Sequence, residues 1–339
     1  MQPNPHCPVC ETCAWQTVGV YRYTAADCEA TDHGELADYF ALRQRVLFEV
    51  WFPGSEQVEL RSVLCGGCGF MTYLPRPSTQ DIEAKYRFLQ IHEKSIGGQS
   101  SNPLAARWDR GRSERMYRSV SRSFASGHNG ASLRILDFGG GDGKLLSSFV
   151  ERGHACYLVD YNPEPRAGIE KLGDTLDDLE HDASFDVVLC SHVLEHVAEP
   201  CAVTDRLARR LRDGGVFYGE VPFEIWKGIP IERDPVTHVN FFNLPNLMAV
   251  TQRSGLGIVS AGKRMSTYDV WRIEALAIVA QKGRPSRTVP REAGVNETRK
   301  RLGPSPWAVL DRRVRFRQLL PLGGIRRRAT QWIRRAVKG

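Results

Sequence analysis

Between residues 133 and 281 short apolar runs alternate with stretches whose apolar positions recur at helical spacing. The runs predict strands at 133–138 (LRILDF), 155–160 (ACYLVD), 185–190 (FDVVLC), 215–221, 256–261 and 273–280, with a weakly marked strand at 170–173. Helical patterns follow at 143–152, 200–212 and 244–254. Only residues 262–272 separate the last two strands, which predicts antiparallel neighbours. Upstream, residues 75–130 are polar and charged and predict helices over 78–89, opened by Pro77 and Ser78, and over 103–124. Runs apolar on both faces, alternating with helices, predict an α/β fold: a doubly wound, mostly parallel sheet covered by helices.

At 339 residues the chain has room for one large domain with smaller attachments. The opening MQPNPHCPVC lacks a signal-peptide pattern, and no apolar run approaches membrane-spanning length, so the expected location is the cytoplasm. Thiols stay reduced there, and clustered cysteines then point to metal rather than disulfides. The net charge of +7 conceals an asymmetry. Residues 282–339 hold 17 Lys and Arg against 3 Asp and Glu, a net of +14, which leaves −7 for the rest.

The first strand runs into Asp137-Phe138-Gly139-Gly140-Gly141-Asp142-Gly143. A phosphate-binding P-loop needs Ser or Thr after Gly143-Lys144, and Leu145 stands there. The dinucleotide fingerprint needs a glycine at 144, so that reading is weakened as well. The segment resembles the first motif of the class I S-adenosylmethionine-dependent methyltransferases. This resemblance extends through SFDVVLCSHVLEHVAEP (184–200) and LARRLRDGGVFYGEVP (207–222) and covers roughly residues 130–281. It implies a Rossmann-like methyltransferase fold with S-adenosylmethionine as cofactor. Asp137, Gly139, Gly141 and Gly143 then form the cofactor loop, and Asp160 accepts from the ribose hydroxyls. Tyr161 packs on the adenine, Asp174 lies near its amine, and Ser191 lies on the loop after the fourth strand.

Six of the nine cysteines fall in residues 1–68. Cys7-Pro-Val-Cys10 and Cys65-Gly-Gly-Cys68 are two C-x-x-C knuckles, each aiming two thiolates at one point, and together they complete a tetrahedral structural zinc site. The 54 residues between them predict inserted strands near 46–52 and 57–64. Cys13 and Cys28 stand as alternative ligands. Cys156, Cys190 and Cys201 read as small apolar residues. Paired knuckles ahead of such a domain resemble the zinc-containing module of sugar C-methyltransferases and related bacterial enzymes.

Two histidine segments carry candidate chemistry. His192-Val-Leu-Glu195-His196 follows a buried strand at the sheet edge where ligands bind. In ubiquinone-type O-methyltransferases, which it resembles, that place is implicated in metal binding; the second open reading is that Glu195 and His196 brace the loop by hydrogen bonds. In DPVTHVNFFNLPNL (234–247) His238 is the candidate catalytic base toward an acceptor hydroxyl, and structural anchoring is the equal alternative. Tyr218, Trp226, Phe241 and Phe242 read either as acceptor-pocket lining or as core.

Four segments follow: a zinc module at 1–75, a helical linker at 76–130, the methyltransferase domain at 131–281 and a basic helical C-terminal tail at 282–339. Within the tail, 325–337 places Ile325, Ala329, Trp332, Ile333 and Val337 on one face with arginines opposite, and 307–320 repeats the theme less cleanly. That pattern fits an anionic membrane surface, here its inner face, or a helix docked on the acidic body. The expected function is methyl transfer from S-adenosylmethionine to a small-molecule, sugar or glycan acceptor. Nucleic-acid binding or modification, through zinc module and tail, and a catalytically silent scaffold are the alternatives.

Overall fold

The computed structural model describes residues 1, 5–28, 35–93, 103–124, 131–162, 164–225, 234–268, 271–286 and 288–302. Two sheets organise them. The smaller is antiparallel, in the order β1 (Trp15–Thr24), β2 (Gln57–Cys65) and β3 (Met71–Leu74). Between β1 and β2 runs α1 (Glu35–Val46). It continues as a π-helical turn over Leu47–Trp51, so the strand expected near 46–52 is not formed. Its buried residues, Leu47, Phe48 and Trp51, are spaced for one side of a helical turn rather than for alternate faces of a strand. The Trp51 indole donates to the Asp81 carbonyl at 2.9 Å and fixes that turn on the next helix. The strand expected at 57–64 is present as β2.

That next helix, α2 (Thr79–Glu93), starts with a reciprocal cap: Ser78 Oγ accepts from the Asp81 amide at 3.2 Å, and Asp81 Oδ2 accepts from the Ser78 amide at 2.9 Å. Helix α3 (Pro103–Ser121) packs on the large sheet, with Met116 and Val120 in one apolar cluster with Ile135, Leu146 and Phe149. Ser113 Oγ donates to the Leu145 carbonyl at 2.6 Å and accepts from the Ser148 amide at 2.9 Å, which ties α3 to the turn after the first strand of that sheet.

The large sheet has seven strands: β4 (Arg134–Phe138), β5 (Ala155–Val159), β6 (Ile169–Gly173), β7 (Phe185–Ser191), β8 (Leu211–Pro222), β9 (Leu256–Tyr268) and β10 (Trp271–Lys282). Their order is β6-β5-β4-β7-β8-β10-β9. The first five are parallel, and β10 runs antiparallel to both β8 and β9. The expected antiparallel pair is therefore present, with β10 inserted between β8 and β9. All seven residues of β7 are buried, as its unbroken apolar run requires. The helix expected over 143–152 is shorter: a 3₁₀ turn at Lys144–Leu146 leads into α4 (Ser147–Val150). Helices α5 (Pro200–Arg209) and α6 (Leu244–Arg253) complete the covering layers.

The sheets are joined where Phe241 forms an antiparallel bridge with Met71, its amide donating to the Met71 carbonyl at 2.9 Å. Helix α7 (Arg291–Leu302), which the charge pattern groups with the basic tail, docks on the body. Its Thr298 hydroxyl donates to the Gly69 carbonyl at 2.7 Å. A Cβ on Gly294 would lie 2.1 Å from the Cys68 carbonyl oxygen, so only glycine permits that approach. The amphipathic stretches 307–320 and 325–337 lie outside the described residues, as does Trp226. Among the described residues no helix is long and apolar enough to cross a membrane.

Candidate functional site

The C-terminal ends of β4, β5, β6 and β7 meet at one edge of the sheet. Gly139, Gly141 and Gly143 turn there with φ of 71°, 65° and 81°. At Gly139 a Cβ would come within 2.5 Å of the Val193 side chain, so the loop lies closer to the β7 loop than any other residue allows. Asp160, directly after β5, accepts from the Gly141 amide at 2.8 Å through Oδ2 and from the Asn162 amide at 2.8 Å through Oδ1. Each oxygen keeps a second lone pair. Tyr161 is 44% exposed, and its ring stacks on Tyr86 of α2 with centroids 6.1 Å apart. Asp174 follows β6, exposed and paired with Lys171. Its amide is held by Asp178, which caps the next turn.

Asp137 ends up beneath this loop, fully buried, with neither carboxylate oxygen hydrogen-bonded. Burial, and then the Asp160 charge beside it, push its carboxyl up to about 7 against the pull of Arg112. A buried acid of this kind fits a ligand bearing a cation, and the amino group of S-adenosylmethionine is one. Glycine cradle, orphaned carboxylate and Asp160 at the neighbouring strand end together suit that cofactor. Ser191 closes β7 with its hydroxyl accepting from Arg112 Nη2 at 2.7 Å.

The loop after β7 packs against residues 234–243, where the Val239 amide donates to the Glu195 carbonyl at 2.8 Å. His192 has a φ of 58°, a conformation rare outside glycine. Its amide donates to the Glu220 carbonyl at 2.8 Å, and its ring lies between two buried carboxylates, Nδ1 3.2 Å from Glu195 and Nε2 3.4 Å from Glu220. Glu220 also receives Arg112 at 2.7 Å and the Tyr218 hydroxyl at 2.6 Å. One oxygen of Glu195 and one nitrogen each of His196 and His238 lie within 4.8 Å of one another, a spacing that one cation could span. His196 Nδ1 is 2.6 Å from the Thr237 carbonyl, which assigns its proton to that nitrogen. Burial lowers its pKa to about 3, so the ring is neutral.

His238 Nδ1 is 2.6 Å from Glu224 Oε2. Burial works against the charged ring, but the Glu224 carboxylate outweighs it and holds the pKa above the ordinary histidine value. Glu224, Arg112 and Glu220 are absent from the sequence-based candidates. Glu224 stands only two residues past β8, and its meaning appears once residue 238 folds back onto it. Tyr218, Phe241 and Phe242 are buried in the core.

Cys7, Cys10, Cys65 and Cys68 converge as the knuckle spacing predicts. Cys7 and Cys68 sulfurs are 3.7 Å apart and those of Cys10 and Cys65 are 3.4 Å apart, all four residues buried. Thr12 Oγ1 lies 3.3 Å from both Cys10 and Cys65 sulfurs. Hydrogen bonds from Cys65, Cys68 and Cys7 hold the Cys10 thiol below its usual range, while Cys10 and Cys65 raise Cys7 and Cys68. Four thiols this close cannot all ionise without a shared cation, so the donor set fits zinc. Cys13 is exposed and apart from them, 3.1 Å from His6, and the Cys28 side chain lies outside those described. Cys156 and Cys190 are buried and Cys201 is partly buried.

Asp137 generates a test. Its folded pKa, near 7, lies above the unfolded value near 4, so ionising it destabilises the ligand-free protein as pH rises through that window. Asp137→Asn should therefore raise the melting temperature at pH 8 by several degrees while leaving it nearly unchanged at pH 4. The same substitution should weaken S-adenosylhomocysteine. Melting curves at the two pH values and calorimetry read both effects.

Residues 108–261 match the family described as Methyltransferase domain. The ubiquinone biosynthesis O-methyltransferase of Psychrobacter cryohalolentis is 32% identical over 130 residues, covering 34% of this chain and 51% of that protein. An uncharacterized methyltransferase of Mycolicibacterium vanbaalenii is 33% identical over 118 residues, covering 31% and 44%. The chain thus spans about half the length of the curated relatives it matches. Among solved structures, the Burkholderia thailandensis 1,6-didemethyltoxoflavin-N1-methyltransferase, with S-adenosylhomocysteine bound, is similar with a TM-score of 0.46 and 17% identity, covering 63% of this chain and 95% of that one. Residues 108–261 are a class I S-adenosylmethionine-dependent methyltransferase domain.

Proposed function

We propose that the chain transfers a methyl group from S-adenosylmethionine to a small-molecule, sugar or glycan acceptor, with a hydroxyl as the favoured acceptor group. The observation that carries the reading is the buried, unpartnered Asp137 beneath a glycine loop whose Gly141 amide is already held by Asp160. The O-methyltransferase names of the relatives support the hydroxyl.

When bound, S-adenosylmethionine supplies a methyl group activated by a sulfonium. The side chains do the rest. Asp137 would neutralise the amino end of the cofactor. The free lone pairs of Asp160 would accept from the ribose hydroxyls, Tyr161 would cover the base, and Asp174 would receive its amine. The glycine loop, packed against Val193, would hold the cofactor, and holding the donor in place is most of what an in-line displacement requires. On the acceptor side, Glu224 keeps the His238 Nδ1 proton, leaving Nε2 to take the proton of the acceptor hydroxyl.

Asp160→Ala should weaken S-adenosylhomocysteine by about tenfold or more in calorimetry, through loss of a charge-assisted pair of hydrogen bonds. An unchanged affinity would overturn the assignment. Tight binding in the wild type without transfer to any acceptor in a radiolabel screen would instead favour the silent scaffold.

His238 is held above the ordinary histidine pKa, so its basic form populates only as pH rises past that range. Transfer should increase with pH through this interval, and His238→Gln should lower the rate about 100-fold and flatten the profile.

For the cysteines we propose one structural zinc, since four thiolates leave no open coordination position. Metal analysis should find about one zinc per chain, and Cys65→Ser should lose it. Retention in that variant would bring in Cys13 or Cys28.

A further inference from the structure

We infer that Thr72 and Arg76 are positioning residues that couple the cysteine knuckle to the loop carrying His238, so that the state of the metal centre sets the acceptor side and leaves the cofactor loop alone. This rests on the proposed role of His238.

The connection is continuous. Cys65 and Cys68 flank the second knuckle, and the next residues are held from the far end of the chain. Asn246 Nδ2 donates to the Cys68 carbonyl at 2.8 Å. The Gly69 carbonyl accepts from Thr298 at 2.7 Å, and Asn243 Nδ2 donates to the Gly294 carbonyl at 2.9 Å. Asn243 Oδ1 meanwhile caps α6 through the Asn246 amide at 2.7 Å. Asn243 and Asn246 thus join the knuckle, α7 and the start of α6.

From Gly69 the chain passes directly into β3, whose Met71 bridges Phe241. The Thr72 hydroxyl, fully buried, donates to the Val239 carbonyl at 2.8 Å and accepts from Arg76 Nη1 at 2.6 Å. Arg76 Nη2 reaches the Ala198 carbonyl and Asn240 Oδ1, both at 2.6 Å. Asn240 Nδ2 in turn donates to the Leu194 and Val197 carbonyls at 2.6 and 2.7 Å. The residues immediately after His238 are therefore fixed by β3 on one side and by the β7 loop on the other. The hydrogen bonds of the cofactor loop have other partners: Gly139 donates to the Val159 carbonyl, Gly141 to Asp160, and Asp142 pairs with Arg166.

Hydrogen exchange on the full chain separates the two halves. Stripping the metal with a chelator should speed amide exchange in peptides covering 236–243 by about tenfold, a loss comparable to one or two hydrogen bonds. Exchange at 139–143 and the affinity for S-adenosylhomocysteine should stay within about twofold of the metal-bound protein. In metal-bound protein, Thr72→Val should loosen 236–243 alone, with metal content unchanged. Thr72→Ser, which keeps the hydroxyl, should restore slow exchange. Unchanged exchange at 236–243 in both the stripped protein and Thr72→Val overturns the coupling, as does a parallel fall in cofactor affinity. A chain that carries no metal when isolated defeats the link to the metal centre, and the Thr72 variants then decide the link to the loop. None of these readouts depends on turnover, so failure of His238 as a base is seen separately in the pH profile.

Discussion

A guanidinium buried away from water must find its hydrogen bonds in the protein, and Arg76 is 2% exposed. Burial pulls its pKa down to about 10, still charged near neutrality. Its hydrogen-bond partners are neutral oxygens contributed by β3, the β7 loop and the 239–240 segment. Remove any one segment and a charge remains buried with fewer acceptors, which is strongly unfavourable. The small sheet and the large one therefore hold their relative positions through a polar contact as well as through the apolar cluster they share.

That constraint explains why the site is assembled from pieces distant in sequence. The parallel strands were legible because short, β-branched apolar runs such as FDVVLC alternate with helical stretches, which suits strands covered on both faces. The place of Asp160 directly after β5 was legible because it ends such a run one strand after the glycine loop. The four cysteines were legible because the spacing within each knuckle is local. β3 was not, since four buried residues leave neither alternation nor length to detect. The turn at 47–51 was misread because apolar residues at 47, 48 and 51 suit a short strand as readily as one helical turn when taken alone. Glu224 and the Arg112–Glu220 pair have no local signature, because their partners arrive only with the tertiary fold.

The ligand edge of the sheet concentrates negative charge in a place with little water. Asp137, Glu195 and Glu220 are each at most 1% exposed. Arg112 answers Glu220, and the His192 imidazole stands between Glu220 and Glu195. Both carboxylates draw the His192 pKa above its ordinary value although burial opposes them. Asp137 has no hydrogen-bond partner, and the pull of Arg112 on it is outweighed by burial and by Asp160. A site arranged this way favours a ligand that brings positive charge of its own, and its resting state holds the unfavourable charge in readiness.

Helix α7 has a consequence for how the molecule is made. Thr298 meets Gly69 across 229 positions of sequence, and Gly294 presses on Cys68. Contacts of such span close late, because the entropy of the intervening loop must be overcome before they form. On a ribosome the knuckle is synthesised long before its partner helix. Through that interval the second C-x-x-C turn lacks the donors that fix its carbonyls. Early capture of a metal ion would hold the module together while the rest of the chain emerges.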